Sequence, residues 1–252
     1  MKRIFCSVLV LIVSACAACA WGRNSACQFT ATGFTAAADA ATWVAVDGSN
    51  AMTSVHAATN GWSLAVKDGG TVLFESGVSS PLGFPDSATN TVVYALTVVK
   101  CPAPSDHATL IDAPCSIRFV PNPFGDSSTF YESQLTSAVA FAINGLETNG
   151  LTATTSPQLV EAAFDAPCAL NDIYIGGAPA TAAWAQSWGG GISELILLAQ
   201  PPSEEELNAI RRYLSIQHGL AVPTDSDAGI ATLLISMGID TGGLFNSVFL
   251  AR

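Results

Sequence analysis

The chain is short of positive charge. Nine Lys and Arg stand against 20 Asp and Glu among 252 residues, a formal charge of −11. Phosphate recognition needs clustered Lys and Arg. No basic stripe occurs, which argues against a nucleic-acid partner. Charge of either sign is sparse, at 12% of residues against 50% apolar. Disorder needs the reverse balance. After residue 20 no apolar run approaches the roughly 20 residues of a membrane helix. Histidine is limited to His56, His107 and His218. After residue 20 no close Cys or His pairs have zinc-site spacing. A Gly-x-Ser-x-Gly elbow is missing, and the acids are scattered, which reads as solubility.

What is present begins with an export signal. Met1-Lys2-Arg3 precedes the apolar run IFCSVLVLIV at 4–13 and the small residues SACAACA, the layout of a cleavable signal peptide. Cleavage after Ala20 is one route. The other is a lipobox-like Val13-Ser14-Ala15-Cys16, which would leave Cys16 as a lipid anchor. Both predict a secreted, periplasmic or cell-surface protein. After cleavage at 20 four cysteines remain, Cys27, Cys101, Cys115 and Cys168. They permit two disulfides in three connectivities; four buried thiols is the alternative. Cys101 and Cys115 flank a Pro-containing loop that a bridge would staple.

Residues 21–41 are rich in Ala, Thr and Ser and read as a lead-in. Strand signals start at Trp43. WSLAVKDGGTVLFES, 62–76, has two alternating arms around Asp68-Gly69-Gly70 and predicts a hairpin. TVVYALTVVK, 91–100, is a continuous apolar strand of the kind buried on both faces. SIRFVPNPF is ended or kept at an edge by Pro121 and Pro123. AVAFAING, QLVEAAFD, NDIYIGG and ISELILLAQ supply four more strands. Strands with turns between them and no intervening long helix predict a sandwich.

One helix breaks the pattern. Ser203 and Glu206 form a capping box, and Glu204, Glu205 and Glu206 suit the positive end of the dipole. Leu207, Ile210, Leu214 and Gln217 share a stripe, with Arg211 and Arg212 off it. Gly219 is the expected C-cap. A single stripe predicts a helix lying on a sheet or across its edge.

This closing segment resembles the end of the laminin G-like, concanavalin A-like jelly-roll domains of exported bacterial proteins. The matching residues are Gly191, Ile192, Glu194, Ile196, Ser203, Glu206, Ile210, Tyr213, Leu214, Gly219 and Leu220. NDIYIGG, Trp188-Gly189 and AVAFAING also look like the family's approach to that strand. The resemblance implies an all-β, two-sheet antiparallel jelly-roll sandwich over 42–222, with the amphipathic helix packed on it. It implies no activity, because this fold serves lectins, glycosidases, lyases and spacers alike. Residues 223–252 are left as a tail: IATLLISMGI reads as a short docking helix and GLFNSVFLAR as a strand.

The site chemistry is thin. The E-x-D-x-x-E strand of laminarinase-like relatives is absent. The nearest carboxylate pair, Glu161 and Asp165, reads as a solvent-facing strand edge. Glu194 reads as a partner of nearby backbone or the helix. His218 suits the helix C-terminus, and His107 beside Asp106 offers little for a triad. Asp106, Asp112 and Asp126 are the loop residues that would hold Ca²⁺ if the chain has the rim site common in such relatives; solvated turns are the alternative. For sugar stacking the candidates are Trp184 and Trp188 with Gln186 between them, while Trp43 and Trp62 read as core. The expected function is therefore an exported, non-catalytic recognition or adhesion module. Its partner would be a polysaccharide or a cell-surface protein. The alternatives are a ligand-free structural or interaction domain of the cell envelope and, behind it, a glycoside-active enzyme.

Overall fold

In a computed structural model the chain folds into two antiparallel sheets and a helix layer. The structure describes residues 26–58, 62–75, 78–101, 108–113, 117–121, 128–132, 139–147, 154–179, 187–222, 230–242 and 244. The expected signal segment and the end of the tail lie outside them. The strands are β1 (Ala26–Thr30), β2 (Phe34–Ala36), β3 (Ala41–Val44), β4 (Ala51–Ser54), β5 (Val66–Asp68), β6 (Thr71–Leu73), β7 (Leu82–Gly83) and β8 (Thr91–Cys101). There follow β9 (Ala108–Asp112), β10 (Ile117–Pro121), β11 (Ser128–Glu132), β12 (Val139–Ile143), β13 (Leu146–Glu147), β14 (Thr154–Ala169), β15 (Tyr174–Ile175) and β16 (Gly191–Leu198). The helices are α1 (Glu204–His218) and α2 (Ile230–Ser236).

The first sheet runs β13-β12-β14-β8-β16-β6-β5, with β1 also paired to β16. The second runs β11-β10-β9-β15-β7-β4-β3-β2. The chain passes repeatedly from one sheet to the other, so the two sheets are interleaved in sequence.

The core between the sheets takes Phe29, Trp43, Val72, Phe74, Val99, Leu110, Ile175, Trp188, Leu195 and their neighbours. Phe29 meets Trp43 edge to face, with ring centroids 5.7 Å apart. A second apolar layer lies on the outer face of the first sheet. There Leu96, Val98, Leu159, Ile196 and Leu198 meet Ile210, Tyr213 and Leu214 of α1 and Leu234 of α2. This is why β8 and β16 are mostly apolar. The middle of β8 is covered on two faces, and every residue of β16 is buried.

Local signals worked as read. Ser203 accepts from the Glu206 amide while the Glu206 side chain takes the Ser203 amide, and Gly219 closes the helix in the left-handed region at φ 66°. The β5–β6 hairpin pairs Val66 with Leu73. Asn144 and Gly145 turn β12 into β13 with φ of 51° and 77°. The tail docks as expected, with Ile230, Leu234, Met237 and Ile239 in the outer layer.

Several expectations need correction. The sandwich does not begin at residue 42. Within the supposed lead-in, β1 pairs with β16 over five residues, Ala26 opposite Leu198 to Thr30 opposite Glu194. Trp62 is only half-buried and stacks on His56 at 4.3 Å. On that arm Ala65 enters the core and Val66 stays 52% exposed, because β5 is a short edge strand. In α1, Gln217 points to solvent and Tyr213 takes the buried place instead.

Gly176 shows how tight the inter-sheet core is. Its φ is +77°, and an added Cβ would meet the Phe74 ring at 2.1 Å. Left-handed strain and overpacking then act together. Gly176→Ala should cost about 2–5 kcal/mol, read as a lowered urea midpoint.

Candidate functional site

Two carboxylates sit on the outer face of the first sheet, and both are fully buried. The first is Glu161 of β14, 0% exposed. It was read as a solvent-facing strand edge, and the structure overturns this: β14 is flanked by β12 and β8, and α1 lies across it. Arg211 spans both oxygens, with Nε 3.0 and 3.2 Å from Oε1 and Oε2 and Nη2 2.8 Å from Oε2. Tyr94 donates to Oε2 at 3.2 Å. Burial, then the Glu161 charge and hydrogen bond, push the Tyr94 hydroxyl well above the usual phenol range, so it stays a donor. Burial works against the Arg211 charge, but the Glu161 hydrogen bond and charge outweigh it. Asp165, two positions past Ala163, is exposed and joins none of this.

The second is Glu194 of β16, 1% exposed. Its Oε1 accepts from Gln28 Nε2 at 2.6 Å and from the Tyr213 hydroxyl at 3.0 Å. Its Oε2 lies 2.7 Å from Nε2 of His218. The reading of Glu194 as a partner of the helix holds. His218, placed at the helix end for the dipole, turns out to close a buried pair. Burial first, then the Glu194 charge, pushes the Tyr213 hydroxyl far up, so it too remains protonated.

Gln28 extends this network to the tail. Its Nε2 reaches the Tyr213 hydroxyl at 3.1 Å and the Asp240 carbonyl at 3.1 Å, and its Oε1 accepts the Asp240 amide at 2.8 Å. One buried amide thus joins β1, β16, α1 and the C-terminal segment. Sequence reading passed over Gln28. The available signal was the alternation of Cys27, Phe29 and Ala31 around it, which marks a strand with a polar residue on the other face.

Beside this network is a cleft of about 490 Å³. Val44, Val46 and Leu244 give it apolar walls. Thr30, Thr32, Gln217, Asp240 and Thr241 give it hydroxyl, amide and carboxylate groups, and Tyr213 is at its base. Asp240 and Gln217 are exposed. The Asp240 carboxylate already accepts the Gly242 amide at 2.9 Å, which fixes its direction.

The sequence-predicted site residues fall elsewhere. Trp184 and Gln186 lie outside the described residues. Trp188 is 0% exposed in the inter-sheet core, so it offers no stacking surface and takes instead the structural place that the family resemblance implies. Asp106, Asp126 and His107 also lie outside. Asp112 is half-buried at the end of β9, opposite Tyr174. Among the described residues no group of three or more His, Cys, Asp or Glu could hold a metal ion. Cys27 and Cys168 are buried thiols, not bridged to each other. The pairing of Cys101 with Cys115 lies outside the described residues. No described helix is long and apolar enough to cross a membrane.

Set against known proteins, the chain matches no family model, and no curated protein matches it in sequence.

Removing one partner of a buried ion pair strands the other charge. Arg211→Met should therefore destabilise the fold by about 3–5 kcal/mol. Adding Glu161→Gln should return roughly half of that or more, a coupling that a double-mutant cycle measures. Burial, then the Asp47 charge, pushes the Cys27 thiol up to about 12. A disulfide reagent at pH 8 should leave Cys27 unmodified until urea is added, as peptide mapping would record.

Proposed function

We propose that this protein is an exported, non-catalytic recognition module that binds carbohydrate in the cleft over Tyr213. The observation that carries this reading is the cleft's lining. A sugar presents hydroxyls that need a carboxylate and an amide, and C–H faces that need an apolar wall. Asp240 and Gln217 supply the first, and Val46 and Leu244 the second. Its volume falls in the range of small-molecule sites, about 300–1,000 Å³. Its base rests on a closed hydrogen-bond network, so little ordering is left to pay at binding.

The non-catalytic part rests on where the acids are. A glycosidase needs two carboxylates roughly 5 to 10 Å apart across the scissile bond. Glu161 and Glu194 are instead engaged by Arg211 and His218, and neither lines this cleft. The lead sequence of residues 1–20 supports export.

The test is a glycan and polysaccharide panel, read with calcium and with chelator. Saturable binding is expected, weakened about tenfold by Asp240→Ala or Gln217→Ala, the scale of one lost hydrogen bond to a charged or amide group. Binding that ignores both substitutions but falls with Trp184→Ala would move the site to that segment. Loss with chelator would move it to the acidic loops of Asp106, Asp112 and Asp126. No binding to any glycan would leave the structural, envelope-domain reading in its place.

A further inference from the structure

The helix layer does not cover the whole outer face of the first sheet. It covers Leu96 and Val98 of β8 and Ile196 and Leu198 of β16. Two residues on from Val98 is Lys100, paired with Gly191 of β16, which in turn pairs with Leu73 of β6. Beside this pairing, at the β5–β6 edge of the first sheet, is a second cleft of about 560 Å³. It is separate from the cleft over Tyr213, and the two share no lining residue.

The second cleft has a different chemistry. Leu64, Val66, Leu73 and Phe74 line it. Val66 is 52% exposed, so its side chain is open to a ligand from solvent. Gly191 keeps it deep: a Cβ there would meet Thr71 Cγ2 at 2.4 Å and Leu73 Cδ2 at 3.1 Å. The charged residues in the lining are Lys100 and Glu75. Glu75 is exposed, whereas Lys100 is half-buried and forms no ion pair among the described residues. A half-buried ammonium at the edge of an apolar cavity attracts an anion more strongly than it would in open water. In a chain with so few bases, its placement there is the feature that a ligand would read.

We propose that this cleft binds a soluble single-chain alkyl carboxylate, with its chain against Leu64, Val66, Leu73 and Phe74 and its carboxylate on Lys100. The chain supplies affinity through burial. The charge pair sets the direction in which it enters and selects an acid over an alcohol.

The probes are decanoate and decan-1-ol, each titrated calorimetrically into the exported protein below micelle-forming concentrations. Decanoate should bind saturably at one site. Lys100→Met keeps an apolar stem and removes the charge. It should weaken decanoate about tenfold and decanol by less than about twofold. Val66→Asp alters an exposed position and so leaves the fold intact. It should weaken both probes by about tenfold or more, because it places a carboxylate beside the chain. The proposal is overturned if folded protein, checked by circular dichroism, does not bind decanoate. It is also overturned if Lys100→Met binds decanoate as the parent does, or if the protein sediments with phosphatidylglycerol vesicles while ignoring decanoate. The glycan panel reads the other cleft, so neither result prejudges the other.

Discussion

The helix layer is held to the first sheet by two buried carboxylates that α1 satisfies. A charge taken out of water costs several kcal/mol unless it is paired and its remaining lone pairs are used. Glu161 and Glu194 meet that demand with Arg211 in the middle of α1 and with Tyr213 and His218 near its end. These contacts fix how far along the sheet the helix lies. The apolar stripe of α1 alone would tolerate sliding, since contact between smooth apolar surfaces is non-directional. The capping box and the left-handed Gly219 set the ends of the helix, and the two carboxylates set its register.

The same demand places the two clefts. Gln28 completes the shell of Glu194 and, with its remaining donor and acceptor capacity, clamps the backbone of Asp240. The C-terminal segment is thereby held against β1, and the cleft over Tyr213 forms where they meet. At the other end of the sheet no described helix follows, and the outward residues change from Leu96 and Val98 to Lys100. The apolar cleft lies where that cover stops. One cleft is polar because it borders a buried polar network. The other is apolar because Leu64, Val66, Leu73 and Phe74 at the β5–β6 edge line it.

The elements that were legible in sequence are those specified by near neighbours. The hairpin around Gly69, the Asn144-Gly145 turn, the both-faces-buried run of β8, the box at Ser203 and the short helix ended by Gly238 each depend on a few consecutive residues. Trp188 is a stacking candidate only because Gly-rich surroundings suggest an exposed loop, and its resemblance to a structural family position is the better guide. The glycines there instead allow the backbone to approach: a Cβ on Gly190 would meet the Lys100 carbonyl oxygen at 2.4 Å. Glu161 was misjudged because a charged residue on a strand is usually at the surface, and nothing local shows that a helix 50 residues later brings Arg211 to it.

By itself, then, the sequence determined a β-rich chain with one capped helix, an acidic balance and few groups suited to chemistry, since periodicity and turn residues act over short range. The tertiary structure alone decided which residues gather at a site. Gln28 and Glu194 are 166 positions apart, and Gln28 and Asp240 are 212. Their contact depends on the pairing of the first strand with the last and on the docking of the tail across both. That arrangement results from closing two sheets and a helix layer around shared apolar cores, and no short stretch of residues encodes it.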